Sequence, residues 1–207
     1  MLKNMEWIFF DIGTTLVDES IAYNHRIKDV IQGTDITFDE FVKARIESAK
    51  QNCSDGMEVL NYFGLAKTPW HKEDEIPYKE SVDILKYLNE CGYKIGIIAN
   101  QSAGTQDRLE QWGMMKYINL VVSSEEEGVC KPDEAIFLLA LKRAVCSAEN
   151  AVMIGDRLDN DIYPAKKLGM KAIWIKQGFA KYQTQCDDKY FPDYIIYGLE
   201  EIKSIFM

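Results

Sequence analysis

Trp7-Ile8-Phe9-Phe10-Asp11-Ile12-Gly13-Thr14-Thr15-Leu16-Val17-Asp18 is the stretch on which the reading of this chain turns. Four apolar residues in a row, aromatic and β-branched, make a short buried strand. A carboxylate follows at once, and Gly13-Thr14-Thr15 reads as a turn. In open α/β sheets, ligands bind in the crevice beyond the carboxyl ends of the strands. Asp11 is therefore placed for chemistry. Three later stretches repeat the placement: Ile97-Ile98-Ala99-Asn100, Val129-Cys130-Lys131-Pro132, and Met153-Ile154-Gly155-Asp156 with Asp161 behind it. They add an amide, a lysine and an acidic metal site.

Outward from that strand, residues 18–72 read as helical. Ile21, Ile27, Val30 and Ile31 predict a helix over 21–32, stopped by Gly33. Thr37-Phe38-Asp39-Glu40 is a capping-box signature opening a helix through about Lys50. Ser54 to Phe63, closed by Gly64, predicts a third. Pro69 and Pro77 bracket an acidic stretch expected to be an irregular connector. Helix and strand then alternate: helices over 78–91, 103–112, 132–145, 161–168 and 199–206, and strands over 94–99, 118–122, 151–155, 171–175 and 194–197. Pro132 is taken as a first helical residue. The alternation predicts an α/β fold, a parallel sheet flanked by helices with right-handed crossovers. The first strand must join that sheet. Residues 1–17 and 73–207 then form the core, with 18–72 as a small all-helical cap inserted above the strand ends.

A chain of 207 residues with 47% hydrophobic content can bury one core plus a small inserted module. The net charge of −9 and the absence of a basic block argue against nucleic acid and anionic membranes as partners. The five cysteines (53, 91, 130, 146 and 186) are irregularly spaced and form no CxxC, as expected for reduced cytoplasmic thiols. The start runs directly into a strand, too short an apolar run for a leader or a membrane span.

The chemistry that suits these residues is phosphoryl transfer. An aspartate can attack phosphorus and form an aspartyl-phosphate, dividing hydrolysis into two steps. The anionic phosphoryl group needs a cation beside the nucleophile and donors around its oxygens. Mg²⁺ takes a few oxygen ligands and keeps several waters. Asp11, Asp156 and the backbone carbonyl of Gly13 offer such ligands, with Asp161 behind them to hold the metal's waters. Lys131 neutralises the nucleophile and binds phosphate. Backbone N–H groups of Gly13, Thr14 and Thr15 form an anion cradle.

With these motifs in order, the chain resembles the haloacid dehalogenase-like hydrolase superfamily. The resemblance rests on Phe10-Asp11-Ile12-Gly13-Thr14-Thr15, Ala99-Asn100, Lys131-Pro132 and Gly155-Asp156 through Asp161, and spans essentially the whole chain. It implies a Rossmann-like core, a helical cap after the first motif, and Mg²⁺-dependent hydrolysis of a small phosphorylated metabolite. Asp11 matches the family's nucleophile, Lys131 its motif lysine, Asp156 its metal ligand and Asp161 its supporting acid. Asn100 sits beside the second motif, either as a turn residue or as part of the phosphate site.

Two positions depart from that pattern. Phosphatase members carry a second Asp two residues after the nucleophile, which acts as acid and base; this chain has Gly13. Such a group is typically worth about 10²–10⁴-fold in rate. The second motif usually offers a hydroxyl where this chain has Ala99. Gly13 is either a turn residue needing positive φ or a real functional change. His25 and His71 are candidates to replace the acid but read more simply as exposed helix and linker residues. Asp18 and Glu19 read as helix-entry charges. Without an acid, acyl and aryl phosphates should outperform sugar phosphates, and Gly13→Asp should act as a repair. Two alternatives stay open: a phosphoryl-binding or regulatory protein with little turnover, and a phosphonatase-type C–P hydrolase using Lys43 or Lys50.

Overall fold

The computed structural model describes residues 2, 4–52, 56–184 and 191–207. The first strand, β1 (Trp7–Phe10), is buried on both faces. Period-2 alternation sends Ile8 and Phe10 into one hydrophobic cluster and Trp7 and Phe9 into another on the opposite face. After the turn comes a two-residue strand, β2 (Val17–Asp18), and then three helices: α1 (Ser20–Ile31), α2 (Phe38–Lys50) and α3 (Met57–Phe63). The expected capping box is present at α2: Thr37 accepts from Glu40 N–H, and the Glu40 side chain reaches back to Thr37 N–H. Ser54 and Asp55, at the expected start of the third helix, lie outside the described residues. Ile27, Val30, Phe41, Val59 and Leu60 give these helices a cluster of their own.

The acidic stretch is more ordered than an irregular connector. Lys72–Asp74 forms a 3₁₀ turn, and β3 (Ile76–Pro77) pairs antiparallel with β2, Val17 opposite Pro77 and Asp18 opposite Ile76. Asp18, read as the start of a helical segment, is thus in a strand. The chain leaves β1 and returns to α4 (Ser81–Glu90) through this two-stranded ribbon, pinned where Ser81 Oγ donates to Leu16 O at 2.6 Å.

Alternation then proceeds through β4 (Lys94–Ala99), α5 (Thr105–Gln111), β5 (Leu120–Ser123), a single helical turn α6 (Ser124–Glu127), α7 (Glu134–Ala144), β6 (Ala151–Gly155), α8 (Tyr163–Lys167), β7 (Lys171–Ile175), β8 (Tyr194–Ile196) and α9 (Ile202–Phe206). Pro132 is not the first residue of α7. The Asp133 side chain accepts from Ala135 N–H and caps the helix there, leaving Pro132 in the preceding turn. The helix expected over 161–168 is divided: a π-helical turn, Leu158–Ile162, precedes α8.

The six main strands form one parallel sheet in the order β5-β4-β1-β6-β7-β8, a Rossmann-like arrangement. From β1 the chain winds outward to β4 and β5, then comes back to β6 on the other side of β1. That reversal opens a crevice at the carboxyl ends of β1 and β6. Trp7, Phe9, Phe10 and Trp174 are core, as expected. Among the described residues no helix is long and apolar enough to cross a membrane, and Cys91, Cys130 and Cys146 are free thiols.

Candidate active site

Asp11 and Asp156 each follow the last residue of a central strand, so the sheet itself brings them side by side. Asp161 reaches the same place by folding back: its N–H donates to Arg157 O at 2.9 Å within the π turn, and its Oδ2 accepts from Arg157 N–H at 3.0 Å. Its carboxyl fits because residue 155 has no side chain. A Cβ there would lie 2.5 Å from Asp161 Cγ. One oxygen from each of Asp11, Asp156 and Asp161 lies within 4.8 Å of the others.

Lys131 is 2% exposed, and its Nζ donates to Asp11 Oδ1 and to Asp161 Oδ1, each at 2.6 Å. Burial alone would push its ammonium down; Asp11 and Asp161 outweigh that and hold it above its ordinary value. Three carboxylates crowd the Lys131 ammonium, and the Arg157 guanidinium offsets their charge only in part. Burial, then the charges of Asp161 and Asp11, push Asp156 well above the usual carboxylate range. Asp161 is raised to about 6 by burial, against the pull of Lys131. An all-oxygen, electron-rich cluster of this kind fits a hard divalent cation.

Asn100 holds the lysine in place. Its Nδ2 donates to Lys131 O at 2.8 Å, and its Oδ1 accepts from Lys131 N–H at 2.7 Å. Both ends of the amide thus bind the Lys131 backbone. Of the expected anion cradle, Thr15 N–H is already used, donating to Ile12 O at 3.2 Å, and Thr15 Oγ1 is buried without a partner among the described residues. Ala99 is fully buried at the end of β4.

A family model described as haloacid dehalogenase-like hydrolase matches residues 8–175. The chain belongs to this family. The hydrolase is 32% identical to the glyceraldehyde 3-phosphate phosphatase of Methanocaldococcus jannaschii, with 96% of this chain and 95% of that one aligned. It is 31% identical to the enzyme of the same name from Pyrococcus furiosus, over 99% and 94%. Among solved structures it resembles a HAD phosphatase from Thermococcus onnurineus, with a TM-score of 0.66, 25% identity and 97% of each chain covered. The fold is also that of the HAD-hydrolase YfnB from Bacillus subtilis, with a TM-score of 0.71 at 22% identity over 99% of each chain.

In this hydrolase the first-motif turn differs from its expected form. The left-handed residue is Thr14, at φ 56°, and Gly13 lies outside the positive-φ region. A β-branched residue held there costs of order 1–3 kcal/mol. What position 13 requires is space. A Cβ on Gly13 would lie 2.8 Å from Glu19 Cδ and 2.9 Å from Oε2, and closer still to Oε1. Glu19 is only 9% exposed, and its Oε2 accepts from Thr14 Oγ1 at 2.9 Å. Burial chiefly, with the charges of Asp11 and Glu75, raises it to about 8, opposed by the Thr14 hydrogen bond and Arg108.

Glu19 does stand at the entry to α1, as expected, but its side chain is buried. A cavity of about 480 Å³ opens between α1, α2 and the loop after β7, with Thr14, Glu19, Tyr23, Tyr78, Lys176 and Lys181 in its wall. Arg108 also escaped sequence reasoning; its Nε lies 4.0 Å from the buried Glu75 carboxylate. No local signal marks it. Glu19 did have one: Gly13 and Glu19 stand six residues apart, as do Gly155 and Asp161, and in both pairs the glycine admits the later carboxyl.

The other candidates lie elsewhere. His25 Nδ1 is 2.8 Å from Asp74 Oδ2, His71 Nε2 is 2.6 Å from Asp29 Oδ2, and the two rings stack at 3.6 Å. Asp18 Oδ1 accepts from Ser20 N–H at the start of α1. Asp159 is engaged by Arg157 and Gln183. Lys43 and Lys50 are exposed, and Lys50 pairs with Glu47. Neither lysine lines the cavity beside Glu19.

Proposed function

We propose that this hydrolase is a Mg²⁺-dependent phosphatase of a small phosphorylated metabolite, acting through an aspartyl-phosphate on Asp11. The observation that carries the reading is the buried Lys131 ammonium shared between Asp11 and Asp161, with Asp156 in the same cluster. Relatives named for glyceraldehyde 3-phosphate cover nearly the whole chain, so a short alkyl phosphate is the first substrate to try.

Asp11 and Asp156 would hold the cation, with Asp161 as its support; bound there, it would neutralise phosphoryl charge. Lys131 orients Asp11 through the Nζ–Oδ1 hydrogen bond, and contributes positive charge to the phosphoryl oxygens. Asn100 fixes the Lys131 backbone, and its second Nδ2 hydrogen is available to a phosphoryl oxygen. Asp11 attacks phosphorus, the bond to the leaving oxygen breaks, and water later cleaves the acyl phosphate to return Asp11. Residues 18–72 act as the cap over a core of 1–17 and 73–207, and the cavity beside Thr14 and Glu19 is the substrate's entrance.

The test is phosphate release from glyceraldehyde 3-phosphate with and without Mg²⁺. Metal-dependent release that Asp11→Asn abolishes is expected. Release that survives in Asp11→Asn would defeat the proposal, and binding of the substrate with no release by the parent would favour the binding-protein alternative.

A further inference from the structure

We propose that Glu19 is the catalytic acid and base of this site, reaching from the start of the helical segment into the space that Gly13 leaves open. The inference rests on the phosphatase reading above and names a residue for a step that reading leaves without one. When Asp11 displaces an alkoxide from phosphorus, the leaving oxygen needs a proton. When water attacks the aspartyl-phosphate, it must lose one.

The other acid–base candidates, in the acidic cluster and on the two histidines elsewhere in the fold, are already engaged. Lys131 Nζ is divided between Asp11 and Asp161, and Asp161 is held by Lys131 and by Arg157 N–H. His25 and His71 contact Asp74, Asp29 and Glu73. The Glu19 carboxyl is different in three ways. It fills the volume a side chain at position 13 would begin in, two residues from Asp11 along the chain. It is steered by one hydrogen bond, from Thr14 Oγ1 to Oε2, which leaves Oε1 on the Gly13 side. It lines a cavity of about 480 Å³ that Thr14 also lines. The left-handed conformation of Thr14 fits the same account, since it accompanies the hydroxyl contact that orients Glu19.

The proton balance closes within the site. In the first half, the Asp11 carboxylate bonds to phosphorus, the phosphorus–leaving-oxygen bond breaks, and the leaving oxygen takes the Glu19 proton. In the second, Glu19 carboxylate takes a proton from water as the water oxygen bonds to phosphorus. The phosphorus–Asp11 bond breaks, phosphate leaves, and both residues return to their starting forms.

The structure also revises the repair experiment. Gly13→Asp alone places a side chain into Glu19, so it should not help; Gly13→Asp with Glu19→Ala removes the obstacle.

The test is pre-steady-state kinetics of Glu19→Gln in Mg²⁺ with two substrates. 4-Nitrophenyl phosphate has a leaving group that needs no proton; glyceraldehyde 3-phosphate has one that does. On the alkyl phosphate, kcat should fall by about 10²–10⁴-fold. On the aryl phosphate, a burst of about one nitrophenol per enzyme should precede slow turnover, because only the second step needs the base. That burst also shows the variant to be folded. The Gly13→Asp/Glu19→Ala double variant should recover alkyl turnover over Glu19→Ala. Parent-like alkyl turnover by Glu19→Gln would overturn the assignment, as would loss of the aryl burst together with turnover, the mark of a structural role. A parent inactive on both substrates would remove the phosphatase reading, and this assignment with it.

Discussion

The buried carboxyl of Glu19 has a consequence apart from catalysis. Its folded-state value of about 8 lies above its ordinary 4.5, so the folded chain holds a proton that the unfolded chain gives up between those values. Stability from this residue is complete below pH 4.5 and is lost as pH rises through about 8. Thermal melts of the metal-free parent and Glu19→Gln should coincide near pH 4.5, with the parent falling progressively below the variant toward pH 8. A constant difference across that range would place the ionisation elsewhere. Lys131 is the opposite case. Removing it with Lys131→Met strands Asp11 and Asp161 without their shared cation, and breaking a buried pair in this way costs about 3–5 kcal/mol. Denaturant melts at pH 7 should show a loss of that order. At the residue scale Asp11, Lys131, Asp156 and Asp161 were legible because each follows, or closely trails, a recognisable strand or turn. Glu19 was not, because its role comes from a space created by a missing side chain, and a missing side chain in a Gly/Thr turn reads first as a conformational device.

Short elements, and not only the strands, place the site. The Asn100 amide binds the Lys131 backbone with both its ends, joining the turn after β4 to the turn before α7. Asn100→Ala removes two hydrogen bonds worth about 0.5–1.5 kcal/mol each. It should lower kcat more than it raises KM, since the loss is in the placement of Lys131. A change in KM alone would assign Asn100 to substrate contact. The π turn over 158–162 does the same for Asp161, and Gly155→Ala presses on that carboxyl. Overpacking of this kind costs about 1–3 kcal/mol, and Mg²⁺ titration of the variant should show weakened binding. Long periodic elements were readable from sequence. The β2–β3 ribbon was not, because two residues per strand carry no periodicity. The π turn was read as the beginning of a regular helix for a similar reason: its apolar and acidic residues fit either winding. Pro132 was assigned to α7 on a sound propensity, but Asp133 supplied the stronger cap one residue later.

At the scale of the molecule, the order β5-β4-β1-β6-β7-β8 accounts for why residues 11, 131, 156 and 161 meet at all. The alternating pattern predicted the parallel sheet, and the reversal of winding at β1 locates its crevice. The charge at that crevice is out of balance, with Asp156 the least compensated member. With the proposed cation site in this cluster, Asp156→Asn should raise the melting temperature of the metal-free protein while abolishing the stabilisation expected of Mg²⁺ in the parent, about 2.7 kcal/mol at a hundredfold excess over Kd. An Asp156→Asn protein still stabilised by Mg²⁺ would move the cation site away from this cluster. The proposal of a cap over 18–72 draws on the same layout: the segment leaves and returns through paired strands and has its own apolar cluster.

The central claim is covalent: phosphate passes through Asp11. The most direct measurement is an acid quench of the Mg²⁺-loaded parent during turnover of 4-nitrophenyl phosphate, followed by mass analysis of the peptide containing Asp11. The account predicts one added phosphoryl group on that peptide, localised to Asp11 and absent in Asp11→Asn. Active turnover with an unmodified Asp11, or a phosphoryl group on another residue, would contradict it.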